Sequence, residues 1–167
     1  YDNQQWQFEE ESIDTKTNVD LVMAFGDTDT FVDPKHYEYL RSLYPNAEIV
    51  GSSSSGNVLG SHMSDSSVVA TAISFEKSHI KVNVIDFNLD ENLEDVSRKL
   101  VSNLPNEDLQ SIFIISDGLN MNGSTLAKGV NLEKENILIT GGLAGDDARF
   151  EKTVVMANDM PKSQRVV

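Results

Sequence analysis

Residues 51–60 read GSSSSGNVLG and place four consecutive serines between two glycines. Serine hydroxyls both donate and accept hydrogen bonds, and glycines let the backbone approach another group closely. Such a stretch suits a phosphate-binding loop, a hydrolytic nucleophile, or the wall of a pocket for a small polar ligand. A flexible linker between domains is a fourth interpretation, without chemistry of its own.

The serine stretch matches neither of the two motifs that would carry nucleotide binding or catalysis, although Gly51 and Gly56 have the glycine separation of a P-loop. A P-loop places Lys and Ser/Thr directly after its second glycine, whereas Asn57 and Val58 follow Gly56 here. A nucleophile elbow requires G-x-S-x-G, and Gly51 and Gly56 are one residue too far apart for it. The stretch is therefore predicted to be neither motif.

Catalysis by a serine would also need a general base. The chain has three histidines, His36, His62 and His79. His36 falls in a predicted helix and His79 at a predicted strand start, so only His62 is expected in a nearby loop. A linker is disfavoured because strand-like apolar segments flank the serines closely. Two interpretations stay open: a tight turn whose hydroxyls bind backbone, or a pocket wall that contains Gly51, Ser52, Ser53, Ser54 and Gly56.

A second small-residue loop, GGLAGDD (141–147), follows another predicted buried strand. Its adjacent glycines do not fit G-x-G-x-x-G, so dinucleotide binding is not indicated. Its two aspartates can bind an amine, a hydroxyl or a hard cation, but their spacing is not that of a calcium loop. Asp117 ends a third strand and would lie at the same sheet edge if the strands are parallel. The candidate ligand-binding residues here are Asp117, Gly141, Gly142, Ala144, Gly145 and Asp146, and no catalytic or metal-binding residue is predicted.

Strands and helices that alternate along the chain would position these loops. Apolar runs predict strands at 19–26, 47–51, 66–76, 79–87, 110–118, 136–142 and 152–158, with a further strand starting in QRVV at the end. Helical spacing predicts helices at 33–45, 90–105 and 122–134, with Asp33 and Ser124 as N-caps of the first and third. The segments 66–76 and 79–87 have hairpin-like spacing.

This order predicts an α/β fold of mixed sheets with packed helices. It reads either as two β-α-β-β-β units related by internal duplication or as ordinary α/β alternation. Residues 1–18 are interpreted as a polar lead-in, and residues 19–167 as the domain. Because the sequence stops within a β region, this domain is expected to be incomplete at its C-terminal end.

Composition limits the partners and the compartment. The chain carries 13 Lys and Arg against 27 Asp and Glu, a formal net charge of −14, which argues against binding to nucleic acid or an anionic membrane. Cysteine is absent, so disulfides and thiolate metal sites are excluded. No apolar run reaches the roughly 18 residues of a membrane helix, and no signal peptide is recognisable. We expect a cytoplasmic protein; the sequence identifies no cofactor.

Five segments together resemble the N-terminal part of the FIST sensory domain: DLVMAF (20–25), AEIVGSSSSGNVLG (47–60), IFIISDGL (112–119), NGSTLAKGV (122–130) and ITGGLAGDDARFEKTVV (139–155). GGLAGD, followed by Phe150 and Thr153, is the most specific of them. The resemblance implies an intracellular, non-catalytic sensory module that binds a small ligand, with amino acids proposed. It also implies a C-terminal companion domain and signalling output proteins or domains as partners.

Two alternative functions remain at this point. The resemblance includes relatives reported as haem-based sensors of nitric oxide, and His62 is the best-placed candidate ligand for a haem iron. The other alternative is a protein–protein interaction domain without a ligand, whose unfinished apolar edge pairs with another domain.

Overall fold

A computed structural model of the chain describes residues 1, 5–7, 18–105 and 107–167. Within this part the helices are α1 (Thr28–Phe31), α2 (Pro34–Leu43), α3 (Leu93–Ser102) and α4 (Gly123–Glu133). The strands are β1 (Leu21–Gly26), β2 (Glu48–Ser53), β3 (Asn57–Leu59), β4 (His62–Ser64), β5 (Val68–Ile73), β6 (Ile85–Asp86), β7 (Ser111–Ser116), β8 (Leu138–Leu143), β9 (Val155–Ala157) and β10 (Arg165–Val166). The predicted lead-in lies largely outside the described residues. No described helix is long and apolar enough to cross a membrane.

The strands form two mixed sheets and one hairpin, which confirms the predicted α/β class. The sheets have the orders β5-β1-β2-β9 and β6-β10-β7-β8, and β3 pairs with β4. Each sheet contains one parallel pair, β1–β2 or β7–β8, and its other pairs are antiparallel. Because parallel strands need a crossover, helical chain connects the two strands of each parallel pair.

Apolar side chains on the strands pack against the helices and between the sheets. One core includes Val22 and Ile49 of the first sheet with Leu40 of α2. A second core joins the other sheet to α3 and α4, since the apolar positions of both helices recur at helical spacing. A smaller cluster contains Val50, Ile115, Ala144 and Val155, and it connects the two sheets.

The two parallel pairs repeat the same register. Leu21 pairs with Glu48, and Ser111 pairs with Leu138, so the paired residues have the same separation along the chain. Directly after the second strand of each parallel pair, the backbone makes the same hydrogen bond to the end of the first strand. The Ser54 N–H donates to the Gly26 carbonyl at 2.8 Å, and the Ala144 N–H donates to the Ser116 carbonyl at 2.8 Å.

The repetition continues through a hairpin and a further strand. Asn57 pairs with Ser64, and Val155 bridges to Lys162 over the same number of residues. The turns of both hairpins contain a left-handed residue, Gly60 at φ 58° and Asn158 at φ 57°. After the hairpins, β5 pairs antiparallel with β1, and β10 pairs antiparallel with β7. The segments 21–73 and 111–166 therefore repeat one arrangement of paired strands, and we call them the first and the second repeat.

Three predictions about the elements were wrong. The segments 66–76 and 79–87 do not form a hairpin, because β5 pairs with β1 and only β6 of the second segment is a strand, paired with β10. The connecting Lys77 and Ser78 are not the residues that a two-residue hairpin turn favours. The N-cap of α4 is Asn122 rather than Ser124, because the Asn122 side chain accepts from the Thr125 N–H at 3.0 Å.

The third wrong prediction concerns the serine stretch, of which only a part forms a turn. Strand β2 extends to Ser53, and β3 and β4 follow as an unpredicted hairpin that contains His62. Strand β2 extends because its register with β1 continues as far as Gly26.

Candidate functional site

The ends of β2 and β8 bring the two small-residue loops into direct contact. The Gly145 N–H donates to the Ser53 carbonyl at 3.1 Å, and the Asp147 N–H donates to the Ser55 hydroxyl at 3.1 Å. A Cβ on Gly145 would lie 2.5 Å from the Ser55 Oγ, so a larger residue there would push the loops apart. We call the contact between residues 53–56 and 144–147 the loop junction.

The serine stretch enters this junction from a buried strand. Gly51, Ser52 and Ser53 are buried in β2, and the Ser53 Oγ accepts from the Val154 N–H at 3.1 Å. Ser54 is half-buried and its hydroxyl donates to the Asn57 Oδ1 at 2.7 Å. Gly56 is exposed. The stretch therefore contributes buried backbone at one end and accessible groups at the other.

Asp117 is fully buried and its carboxylate is saturated by hydrogen bonds. It accepts from the backbone N–H groups of Leu119, Asn120 and Gln164, from the Asn120 side chain, and from the Thr153 hydroxyl at 2.6 Å. Burial by itself raises the pKa of Asp117, but these donors outweigh it and hold the pKa below its ordinary value. Every described bond of this carboxylate is internal to the fold.

Asp146 is likewise buried and bonded to its own loop. Its carboxylate accepts from the N–H groups of Phe150 at 3.1 Å, Glu151 at 2.7 Å and Lys152 at 3.0 Å. Burial raises the pKa of Asp146, whereas these bonds and the charge of Arg149 lower it, with a net decrease. The loop backbone is left-handed at Asp147, Ala148 and Phe150, so Asp146 organises a constrained turn.

The remaining candidates lie on or beside β8. Gly141 and Gly142 are exposed in this strand, and Ala144 is buried in the cluster between the sheets. A Cβ on Gly141 would lie 1.9 Å from the Ile114 carbonyl oxygen, whereas a Cβ on Gly142 would meet nothing within 4 Å. The structure thus brings Ser53, Ala144 and Gly145 together at the loop junction. It leaves Gly141 and Gly142 on the sheet surface.

The duplication identifies a residue that the sequence reasoning missed. Asp27 follows β1 as Asp117 follows β7. The Asp27 N–H donates to the Ser67 carbonyl at 3.2 Å, and the Asp117 N–H donates to the Arg165 carbonyl at 2.9 Å. The Asp27 Oδ1 accepts from the Thr30 N–H at 3.1 Å, but its Oδ2 is buried without a hydrogen-bond partner. An aspartate directly after each of two apolar runs was the signal available in the sequence.

Asp27 lies in a group of polar residues next to the loop junction. We define the Asp27 cluster as Asp27, Ser54, Asn57 and Ser67. The Asn57 side chain connects the group, because it accepts from the Ser54 hydroxyl and donates to the Ser67 carbonyl at 3.1 Å. The Ser67 hydroxyl is a second buried polar group without a partner. The cluster therefore offers a carboxylate acceptor for an amine and a hydroxyl donor for a carboxylate.

The FIST N domain family matches the chain over residues 20–167. The chain belongs to this family. Its match extends from β1 to β10 and includes both repeats. Searches of curated protein sequences and of solved structures found no match. FIST domains are generally sensory domains of signal transduction and not enzymes.

The described histidines of this FIST domain do not activate its serines. His36 is buried in α2 with both ring nitrogens unpaired, and its ring lies 4.3 Å from that of Tyr1 between centroids. His62 lies in the exposed strand β4 rather than in a loop. Among the described residues, the Ser53 and Ser54 hydroxyls bond to the Val154 N–H and to Asn57, and neither bonds to a histidine. The part of the chain that the structure describes therefore contains no assembled histidine–serine base–nucleophile pair.

The surroundings of His62 do not fit a haem. A haem-binding histidine lies in an apolar pocket that covers the macrocycle, whereas Met63 beside it is 78% exposed. The described residues also contain no group of three or more potential metal ligands. We derive no haem chemistry from this site.

Proposed function

We propose that this FIST domain is a non-catalytic intracellular sensor that binds a small ligand, an amino acid or a related metabolite, at the Asp27 cluster. One observation carries the proposal: the Asp27 Oδ2 is buried without a hydrogen-bond partner, whereas the equivalent carboxylate of Asp117 accepts five hydrogen bonds. In the second repeat, residues of the domain itself donate all of these hydrogen bonds. In the first repeat, a bound ligand would donate to the Asp27 Oδ2.

The energetics favour an occupant with a hydrogen-bond donor. An unpaired buried polar group costs about 1–3 kcal/mol. A ligand ammonium would remove this cost at the Asp27 Oδ2, and the Ser67 hydroxyl would donate to the ligand carboxylate. An amino acid carries both groups on adjacent atoms, and this pairing supports the proposed ligand class.

The loop junction supports a route from the ligand to the rest of the molecule. Ser54 belongs to the Asp27 cluster, and its neighbours Ser53 and Ser55 bond to Gly145 and Asp147 of the second repeat. A ligand that shifts Ser54 would therefore change the packing of residues 144–147. In a sensor, such a shift changes the population of the conformation whose surface an output partner recognises.

A stability measurement with a ligand panel tests the proposal. We expect an amino acid or close metabolite at 100 times its dissociation constant to raise the free energy of unfolding by about 2.7 kcal/mol. Asp27→Asn should abolish this increase, because an amide at this position removes the charge that pairs with an ammonium. Asp90→Asn, an exposed carboxylate outside both repeats, is the matched control and should retain it. A panel without any stabilising compound would contradict the proposal.

A further inference from the structure

The two repeats differ at one edge of their sheets. Strand β9 pairs with the outer edge of β2, where Val50, Gly51 and Ser52 are buried. No described strand pairs with the equivalent edge of β8. The equivalent residues 140–142 are exposed there, and Leu138 at the start of the strand is 65% exposed. The second sheet therefore has an open edge at the position that a hairpin strand covers in the first.

The first repeat has a hairpin of the kind that would cover this edge. In the second repeat Met156 and Ala157 of β9 are 0% and 5% exposed, because they pack against the first sheet. Their equivalents in β3 are Val58 and Leu59, which are 64% and 36% exposed. Apolar residues thus occupy the same hairpin positions in both repeats, buried in one and in solvent in the other.

Hydrogen bonds join the hairpin that contains β9 to β2, and the residues that form them are replaced at the equivalent positions of the β3–β4 hairpin and of β8. The Asn158 side chain, next to β9, donates to Glu48 and accepts from the Ile49 N–H at 2.8 Å. The equivalent of Asn158 is Gly60, and the equivalent of Glu48 is Leu138. Both members of the hydrogen-bonded pair are replaced together, so the open edge and the free hairpin match each other in their apolar character.

We propose that the open edge of β8 binds the β3–β4 hairpin of a second copy of this chain. In the first sheet Val50 pairs with Ala157, and Ser52 pairs with Val155. The equivalent residues predict an antiparallel pairing of Thr140 with Leu59 and of Gly142 with Asn57 between the two copies. Main-chain hydrogen bonds join the two copies, as in strand addition to a sheet edge. The exposed Val58 would become buried as Met156 is.

The second copy is the occupant because this chain carries both halves of the junction. Its own hairpin pairs only within itself in the described part of the chain, and β8 lies at the end of its sheet. Each copy offers one edge and one hairpin, so two copies can contact each other reciprocally about a two-fold axis. Two copies that exchange hairpins close a dimer with two such junctions.

Disulfide trapping tests the register, because the chain contains no cysteine. The single variants Leu59→Cys and Thr140→Cys, mixed in equal amounts and oxidised, should form a crosslinked heterodimer. Paired strands place Cα atoms within about 4.4–6.8 Å, the range that a disulfide spans. Met63→Cys, on the exposed strand β4 of the same hairpin, is the matched control partner for Thr140→Cys. Absence of the heterodimer, or an equal yield with the control, overturns the proposal.

Sedimentation equilibrium tests the association without a crosslink. The parent chain should show a concentration-dependent mass that rises to that of two chains, and Val58→Lys should weaken association at least tenfold. Val84→Lys is the control, since Val84 is 44% exposed but lies outside the hairpin and β8. A parent chain that stays monomeric at millimolar concentration overturns the proposal, including the case in which a different protein unit covers the edge.

Discussion

Gly51 and Gly141 are equivalent residues that let two pairs of parallel strands approach each other. A Cβ at Gly51 would lie 1.8 Å from the Ala24 carbonyl oxygen, and a Cβ at Gly141 would lie 1.9 Å from that of Ile114. No real Cβ tolerates this distance, so the backbone itself would have to move. The same steric requirement recurs at the fourth residue of β2 and of β8, which supports the equivalence of these two strands.

Alanine at either glycine should therefore destabilise the domain. Gly51→Ala should lower the free energy of unfolding by about 2–4 kcal/mol, since a buried strand has to shift. Gly142→Ala is the matched control, because its Cβ would meet nothing within 4 Å, and it should change stability by less than about 0.5 kcal/mol. Urea denaturation of the three proteins measures the difference. Equal stability of Gly51→Ala and Gly142→Ala would refute the close approach.

The two equivalent aspartates should respond differently to the same substitution. Asp117→Asn should cost about 2–4 kcal/mol, because the new amide NH2 would face buried N–H donors. Asp27→Asn should cost less than about 1 kcal/mol, because the Asp27 Oδ2 has no partner to lose. Chemical denaturation compares the two variants. A loss at Asp27 as large as that at Asp117 would show that the Asp27 Oδ2 is already satisfied within the fold.

Buried His36 should make stability depend on pH. Burial lowers the pKa of His36 to about 4, so the folded state favours the neutral ring, while the unfolded ring titrates near 6.5. The stabilisation is complete above about pH 6.5 and declines as the pH falls towards 4, by at most about 1.4 kcal/mol per pH unit. His36→Leu should flatten the pH dependence of unfolding across this window. The same slope in the parent and the variant would contradict the buried neutral histidine.

The Asp146 carboxylate should hold its loop in place. Its pKa is lowered, so this contribution is present above the ordinary value near 3.8 and is lost as the pH falls through the lower, folded value. Asp146→Ala should accelerate hydrogen exchange at the amides of Phe150, Glu151 and Lys152 by about tenfold or more at neutral pH. Asp147→Asn, at the exposed neighbour, is the control and should leave these rates unchanged, because asparagine tolerates the left-handed backbone at this position. Unaltered exchange in Asp146→Ala would contradict the role of the carboxylate.

The sequence predicted the elements whose apolar periodicity is strong. The apolar run at 110–118 became β7, and the helical spacing at 90–105 became α3. The β3–β4 hairpin was missed because each strand has three residues and most of their side chains face solvent, so no alternation marks them. The partners of β5 and β9 could not be predicted, because both pair with strands distant in the chain.

The candidate site was predicted in its loops but not in its chemistry. GSSSSG and GGLAGD do meet, as adjacent small-residue loops at strand ends can. The role of Asp117 as an internally saturated carboxylate depends on Thr153 and Gln164, whose approach is a tertiary event. Asp27 could be recognised only by comparison of the repeats, since its unpaired oxygen reflects the absence of donors that the second repeat has.

An NMR titration of the isotopically labelled chain with the amino-acid panel tests directly whether a ligand binds at the Asp27 cluster. We expect one compound class to give saturable shifts of the amide signals of Asp27, Ser54, Asn57 and Ser67, and a further shift at Gly145 through the loop junction. We also expect Asp27→Asn to abolish these shifts while the spectrum stays folded. Saturable shifts elsewhere in the chain, or shifts that persist in Asp27→Asn, would contradict binding at the Asp27 cluster.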